Sequence, residues 1–247
     1  MLPAANDRIT FKVHYEDEDL VVVDKPAGRV TQPGKGHDHD TLLNGLFARF
    51  GPALSQLGEA RDFGLLHRLD KETSGLLVVA LRPRAYDALR EAFETRAVAK
   101  FYWAVCGKHP PEGLAQGVIS KPIAETTPRV GEMKLARLSR HGKPATTAFR
   151  VVSANVNAAL IEARPLTGRL HQVRVHLESI GCPILGDDLY AAPKYARAAP
   201  RLMLHAHRLA FAHPTTAAAI DVGSRLPRDM KGLLARFGLA PPDDAAV

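Results

Sequence analysis

Residues 66–81 read LHRLDKETSGLLVVAL and contain the sharpest change in the chain from polar to apolar residues. The second half, residues 76–81, is an apolar run of strand length, which predicts a buried strand. The first half is a polar loop that leads into this strand. Reactive side chains often lie on such a loop, because the rigid element behind it fixes their position. The alternative is a charged surface turn in which Thr73 and Ser74 only cap the backbone.

The apolar patterns of the rest of the chain predict more strands than helices. Strands are expected at 9–14, 20–23, 101–106, 160–163, 202–211 and 217–222, and a hairpin around 141–144. Helices are expected from Asp40 to Gly51 and Pro52, from Pro83, over 170–180 before Gly181, and over 227–237. Because strands and helices do not alternate regularly, the sequence predicts an α+β fold with a mostly antiparallel or mixed central sheet flanked by helices and loops.

Composition and length favour one globular enzyme-sized domain. The chain has 247 residues, of which 46% are hydrophobic and 24% charged, so disorder, collagen and coiled coil are excluded for most of it. We expect a single catalytic domain over 1–247, with a core over 9–238 and a frayed tail over 240–247. No apolar run reaches membrane-spanning length, no signal peptide is expected, and the two cysteines favour the reducing cytoplasm.

The charge of the chain is unevenly distributed. The formal net charge is +7, and residues 121–150 contain seven Lys or Arg against two Glu. A basic stretch of this kind indicates either a surface that binds a polyanion or a solvated loop without a partner.

Several common site patterns are absent or weak. Pro33-Gly34-Lys35-Gly36 fails both the phosphate-loop and the dinucleotide pattern, and no Gly-x-Ser-x-Gly occurs. His37 and His39 are more typical of a solvated loop than of a metal site, so no metal is expected. Cys106 and Cys182 are expected to be inert buried thiols.

Two further segments concentrate polar or aromatic side chains. Residues 166–176 place Arg169, His171 and Arg174 near the start of a predicted helix, where they could bind a phosphate or a carboxylate. The alternative is that Arg174 forms a surface ion pair with Glu178, one helical turn away. In residues 100–104, Tyr102 could stack on a base, or it could be a core tyrosine whose hydroxyl reaches the surface.

Taken together, these segments resemble the RluA family of pseudouridine synthases. The matching motifs are Asp24-Lys25-Pro26-Ala27-Gly28, His67-Arg68-Leu69-Asp70-Lys71-x-Thr73-Ser74-Gly75-Leu76, Lys100-x-Tyr102-x-Ala104, Thr167-Gly168-Arg169-x-His171-Gln172-Val173-Arg174-x-His176 and Gly181-x-Pro183-Ile184-x-Gly186-Asp187. They occur in the family's order, and their joint occurrence is specific. The basic segment that includes Arg129 and Arg140 has no obvious counterpart in the family.

The resemblance implies an isomerase that converts uridine to pseudouridine without a cofactor. It assigns the catalytic carboxylate to Asp70, which must be ionised at neutral pH. The matching arginine, Arg174, is its expected partner, because a guanidinium stays charged even when buried. By the same resemblance, Tyr102 stacks on the target base and takes the C5 proton.

The implied partner is structured RNA, a stem-loop of large-subunit rRNA or tRNA. Within the family, the chain most resembles a dual-specificity member that modifies both RNAs, and no S4-type domain is expected. The target uridine must leave the stack, and Arg68 would fill the vacated space. Arg68 and Asp70 are two residues apart, so in an extended segment both face the RNA. Arg169 and His171 are expected phosphate or loop contacts.

The remaining expectations concern assembly and alternatives. We expect a monomer with no obligate protein partner and no membrane association. A non-catalytic RNA-binding protein on the same fold is the main alternative, although Asp70, Tyr102 and Arg174 are all present. A sugar hydrolase that uses Asp70 and Glu72 is a weaker one, since no second carboxylate is marked as lying across a scissile bond.

Overall fold

The computed structural model describes residues 2–111, 114–126 and 134–242. Within these ranges the chain forms two compact units, one over 2–99 and 206–224 and the other over 100–205 and 225–242. One catalytic domain over 1–247 stays a prediction. Of the predicted frayed tail, residues 243–247 lie outside the described residues. No helix in the described ranges is long and apolar enough to cross a membrane.

The secondary structure consists of short strands and helices. The strands are β1 (Lys12–Glu16), β2 (Leu20–Lys25), β3 (Ser74–Ala80), β4 (Ala99–Cys106), β5 (Gln116–Ser120), β6 (Ile123–Glu125), β7 (Ala136–Leu138), β8 (Thr146–Ala154), β9 (Ala159–Pro165), β10 (Leu204–Ala212) and β11 (Ala219–Gly223). The helices are α1 (Leu42–Leu57), α2 (Pro83–Glu94), α3 (Gln172–Glu178), α4 (Pro193–Ala196) and α5 (Arg228–Arg236), together with a 3₁₀ helix at Glu59–Gly64.

The first unit is built on the strand order β1-β2-β3-β10, and β11 also pairs with β10. The pairs β1–β2, β2–β3 and β10–β11 are antiparallel. Every residue of β3 is buried, and all but one of β2. Strands that are covered on both faces are continuously apolar rather than alternating, which explains the run at residues 76–81. The buried face of the helices is formed by residues such as Leu46 in α1 and Leu89 in α2.

Helix α1 differs from its prediction at both ends. Its N-cap is Thr41, not Asp40, because the Thr41 side chain and the Asn44 side chain form a reciprocal capping box. Nor does the helix end at Gly51 and Pro52. Phe50 departs from helical geometry (φ −119°, ψ 16°), and Pro52 lies in the first turn after this break, where its missing N–H leaves no hydrogen bond unmade.

The second unit contains the strand order β4-β9-β8-β5 and a separate two-stranded sheet of β6 and β7. All four pairs are antiparallel. The core is an apolar cluster that includes Trp103 of β4, Ile161 of β9, Leu177 of α3 and Leu234 of α5. The α+β prediction is confirmed, with an antiparallel arrangement in these pairs.

The predicted hairpin around 141–144 is wrong in its pairing. A turn is present there, since the Gly142 amide donates to the Ser139 carbonyl. However, β7, which precedes the turn, pairs with β6, and β8, which follows it, pairs with β5 and β9. Alternation along a segment indicates strands but does not determine which strands pair.

Candidate active site

The loop between the 3₁₀ helix and β3 carries Arg68 and Asp70. Leu69 is buried at 7% exposure, while Arg68 is exposed and Asp70 is half-buried. The Thr73 amide donates to the Asp70 carbonyl at 3.1 Å and closes a turn directly after the carboxylate. The loop therefore directs one apolar side chain into the core and leaves the two polar neighbours accessible, as the alternation predicts.

Thr31 fixes the backbone of this loop. Its hydroxyl donates to the Leu69 carbonyl at 2.9 Å and accepts from the Leu69 amide at 3.3 Å. Thr31 itself is 2% exposed. One side chain thus satisfies both backbone groups of the residue next to Asp70. Sequence analysis missed Thr31, because a lone threonine 38 residues away carries no local signal.

Lys25 holds the other side of the loop. Its ammonium group is fully buried and donates to the carbonyls of Pro26 at 2.9 Å, Arg29 at 2.7 Å and Lys71 at 3.0 Å. A buried ammonium is costly unless its protons are hydrogen-bonded, and three carbonyls meet that requirement. The Lys-Pro pair at 25–26 belonged to a recognised motif, but nothing in that motif indicated contact with Lys71.

The entry to β3 requires glycine. Gly75 has φ +119°, and a Cβ at this position would lie 2.2 Å from the Ala206 carbonyl oxygen. Its neighbours Thr73 and Ser74 are 2% and 5% exposed. The alternative interpretation of this segment, a solvated turn capped by Thr73 and Ser74, is therefore wrong.

In the second unit, Tyr102 lies on β4 opposite Ala163 of β9. Its side chain is partly buried and packs against the core cluster of that unit. Two residues earlier, burial lowers the pKa of Lys100. Both the stacking and the core interpretation of Tyr102 fit this partial burial, so its role stays a prediction.

Arg174, in α3, forms a buried ion pair. Its guanidinium is 5% exposed and binds Asp187 through two hydrogen bonds, from Nε at 2.9 Å and from an Nη at 2.6 Å. Asp187 also accepts the backbone amides of Leu189 and Tyr190. The alternative interpretation, a surface pair with Glu178, is wrong, because Oε2 of Glu178 is buried without a hydrogen-bond partner and its pKa is raised by burial.

The remaining polar groups of the third motif bind one another. The Gln172 amide accepts from the Thr167 hydroxyl at 2.7 Å and donates to the Thr146 carbonyl and the Thr147 hydroxyl, both at 2.9 Å. His176 is fully buried between Thr147 and the Lys121 carbonyl, and burial lowers its pKa. These side chains hold α3 and the segment before it against β8.

Arg169 and His171 lie at the half-exposed rim of the same segment. Arg169 donates through Nε to the Pro144 carbonyl at 3.1 Å. His171 has a left-handed backbone (φ 49°) and bonds through Nδ1 to the Tyr190 hydroxyl at 2.6 Å. The Tyr190 ring lies 5.0 Å from the Arg174 guanidinium. The second unit therefore brings His171 and Arg174 to Tyr190, and Arg174 to Asp187, while Arg169 binds the Pro144 carbonyl.

Comparisons with known proteins agree with these motifs. A family model described as RNA pseudouridylate synthase matches residues 19–179. The "Ribosomal large subunit pseudouridine synthase D" of Zymomonas mobilis is 39% identical over 239 residues, which cover 93% of this chain and 74% of that protein. The protein of the same name from Nitrosomonas europaea is 40% identical, with 92% and 65% covered.

A solved structure also matches. The "Human RNA Pseudouridylate Synthase Domain Containing 4" aligns with a TM-score of 0.71 and 29% identity, over 94% of each chain. The resemblance to RluA-type synthases and the predicted isomerase activity on RNA are confirmed by these matches. The chain belongs to the RNA pseudouridylate synthase family.

Proposed function

We propose that the enzyme isomerises specific uridines in large-subunit ribosomal RNA and that Asp70 is its catalytic carboxylate. The substrate rests on the similarity, over 93% of this chain, to a relative named as a large-subunit synthase. The assignment of Asp70 rests on one structural observation. The Asp70 carboxylate is half-buried, and the residue before it, Leu69, is hydrogen-bonded to Thr31 through both its amide and its carbonyl. Such support is what a catalytic side chain requires to keep a productive geometry.

The reaction rearranges a single nucleotide. The N1–C1′ bond breaks, the uracil rotates, and C5 forms the new bond to C1′. The C5 proton leaves and N1 gains a proton, so that atoms and electrons balance within the substrate and solvent. Asp70 acts at C1′ or at the base to let the N-glycosidic bond break, and Tyr102 stacks on the uracil and receives the C5 proton.

Arg174 acts with the catalytic residues, and the other candidates bind and position the RNA. Arg174 supplies a fixed positive charge, since Asp187 holds its guanidinium in one orientation. Arg68 is exposed and fills the space that the flipped uridine leaves. Arg169 and His171 contact the backbone or the loop of the RNA stem-loop.

We also propose that the enzyme acts as a monomer in the cytoplasm, where structured RNA of this class is found. Its mass of 26.8 kDa makes a monomer easy to recognise by light scattering. A species of twice that mass at working concentrations would contradict this part of the proposal.

The test is tritium release from RNA labelled at C5 of uridine. Large-subunit rRNA and bulk tRNA are compared for the wild type, Asp70→Asn and Arg174→Lys. We expect release from rRNA by the wild type, none by Asp70→Asn, and little by Arg174→Lys because lysine cannot reproduce the bidentate fork. RNA affinity of Asp70→Asn should stay close to that of the wild type.

Each other outcome has a definite meaning. Release from tRNA alone would overturn the rRNA assignment, and release from both RNAs would favour the dual-specificity resemblance. Loss of RNA binding or of folding in Asp70→Asn would mean that Asp70 is structural. Near-normal turnover by Arg174→Lys would remove Arg174 from the catalytic machinery.

A further inference from the structure

The β6–β7 hairpin and the turn after it carry exposed positive charge that the proposed function does not use. We define the basic hairpin surface as Arg137, Arg140 and Lys143, all of which are exposed. Some exposed arginines elsewhere in the protein are ion-paired, for example Arg90 with Glu94 and Arg150 with Glu162. Among the described residues, no carboxylate forms an ion pair with the basic hairpin surface. Arg129, from the same basic stretch, lies outside the described residues.

These charges are carried by a packed element rather than by a solvated loop. Ile123 and Ala136 of the hairpin are buried in a small apolar cluster with Ala145 and Val175 of α3. Arg137 follows Ala136 on β7, so its side chain points to the opposite face of the strand, away from that cluster. The surface is therefore presented to solvent by a two-stranded sheet with its own core.

The turn after β7 is held closely against β6. Ile123 and Lys143 exchange two backbone hydrogen bonds, of 3.0 and 2.8 Å. A Cβ on Gly142 would lie 2.4 Å from the Ile123 carbonyl carbon, so glycine is required for this approach. The backbone that carries Arg140 and Lys143 is consequently fixed relative to Arg137.

Tyr190 connects the hairpin to the Arg174 site. Its hydroxyl accepts the Ala136 amide of β7 at 2.8 Å and bonds to His171 at 2.6 Å. Its ring lies 5.0 Å from the Arg174 guanidinium. One side chain thus contacts the hairpin backbone, the rim histidine and the buried arginine. This connection fixes the distance between the basic hairpin surface and Arg174.

We propose that the basic hairpin surface binds the phosphate backbone of the RNA segment next to the target uridine. Guanidinium groups suit phosphate oxygens because they donate in a planar fork. Because Tyr190 fixes the hairpin relative to Arg174, these contacts set the register of the RNA relative to the base that reacts. The proposal rests on the proposed function, since it takes RNA as the substrate of the Arg174 site. It predicts an effect on KM and RNA affinity and little effect on kcat.

The test compares two triple variants that remove the same charge from the second unit. The test variant is Arg137→Gln with Arg140→Gln and Lys143→Gln. The control is Arg225→Gln with Arg228→Gln and Lys231→Gln, which replaces two arginines and one lysine that are also exposed. RNA binding is measured on an Asp70→Asn background between about 50 and 200 mM salt, a range over which phosphate contacts change affinity strongly.

The expected result is a change in salt dependence for the test variant alone. Each lost phosphate contact lowers the slope of log affinity against log salt by ~0.7–0.9, so three contacts lower it by about 2–3. KM for rRNA should rise about tenfold or more and kcat should stay within about twofold, as for a lost ground-state contact. The control variant should match the wild type in slope, KM and kcat.

Other outcomes separate the two proposals. If test and control variants have the same salt slope and KM while the wild type modifies rRNA, the hairpin proposal is overturned and the proposed function stands. If the wild type releases no tritium from rRNA, the proposed function fails, while the binding slopes still decide the role of the hairpin. Circular dichroism should show that both variants are folded at the assay temperature, because the replaced side chains are exposed.

Discussion

Thr31→Val is the sharpest test of the Asp70 loop. Valine has nearly the shape of threonine but lacks the hydroxyl that donates to the Leu69 carbonyl and accepts from its amide. Both backbone groups would be left without a partner in a buried place. An unmade buried hydrogen bond costs about 1–3 kcal/mol, and the 3.3 Å bond is at the weak end, so unfolding should become easier by about 2–4 kcal/mol. For a chain of this size that lowers the melting temperature by roughly 4–16 °C.

The effect on catalysis should exceed the effect on binding. Thr31 touches the backbone next to Asp70, so its loss lets the carboxylate move. A misplacement of about 1 Å can reduce a rate by ~10²-fold, and we expect kcat to fall about 10–100-fold. KM should change by no more than about twofold, because exposed Arg68 and the second unit are unaltered.

The assay is tritium release from C5-labelled rRNA at 20 °C, with circular dichroism to verify that each variant is folded there. Thr31→Ser keeps the hydroxyl and should restore kcat to near the wild-type value. Asn155→Ala is the stability control. It removes hydrogen bonds to Phe237, Asn157 and Ala158 on a turn that carries no candidate residue. It should lower the melting temperature without lowering kcat.

Two results would refute this reasoning. The first is a Thr31→Val enzyme, folded at the assay temperature, whose kcat is within twofold of the wild type. The second is an Asn155→Ala enzyme that loses as much kcat as Thr31→Val at the same loss of stability. Either result would show that Thr31 acts on folding alone.

Two further predictions concern the second unit. Asp187→Asn removes the charge of one member of the buried Arg174–Asp187 pair. Urea unfolding should therefore show a loss of about 1.5–3 kcal/mol, the usual contribution of a hydrogen bond to a charged group, and a loss below ~0.5 kcal/mol would contradict this role of the pair. Burial lowers the pKa of His176 below its usual value of about 6.5. The unfolded chain therefore binds a proton at His176 more readily than the folded chain does. Stability is consequently lost as the pH falls through and below ~6.5. His176→Gln should therefore weaken the fall in melting temperature between about pH 7 and 5; an unchanged profile would assign that fall to other groups.

The sequence predicted the parts of the site that are continuous in the chain. The polar loop at 66–75 precedes a buried strand, Pro83 begins a helix, and Gly181 follows α3 in a left-handed conformation (φ 78°), all as expected. Each of these features depends on neighbouring residues, through apolar periodicity or the φ preference of one residue. The motifs also led to the correct family, because their order and spacing can be recognised in the sequence without knowledge of the fold.

Predictions that needed a partner distant in sequence were less successful. The alternative for Arg174, a surface pair with Glu178 four residues away, considered only its own helix, whereas its partner in the second unit is Asp187, thirteen residues away and beyond the end of α3. A helical periodicity can only suggest neighbours on the same helix. The pairing of β7 with β6 was missed for the same reason, since alternation identifies a strand but not its neighbour.

The sequence alone thus determined the family, the reaction class, the α+β character and the candidate residues Asp70, Tyr102 and Arg174. Only the tertiary structure decided what holds the candidate residues. Thr31 and Lys25 reach the Asp70 loop from 38 and 46 residues away, and Tyr190 reaches β7 from 54 residues away. These are hydrogen bonds between buried polar groups, and such groups must be paired because water cannot reach them. Which groups meet depends on how the chain packs, which no local pattern encodes.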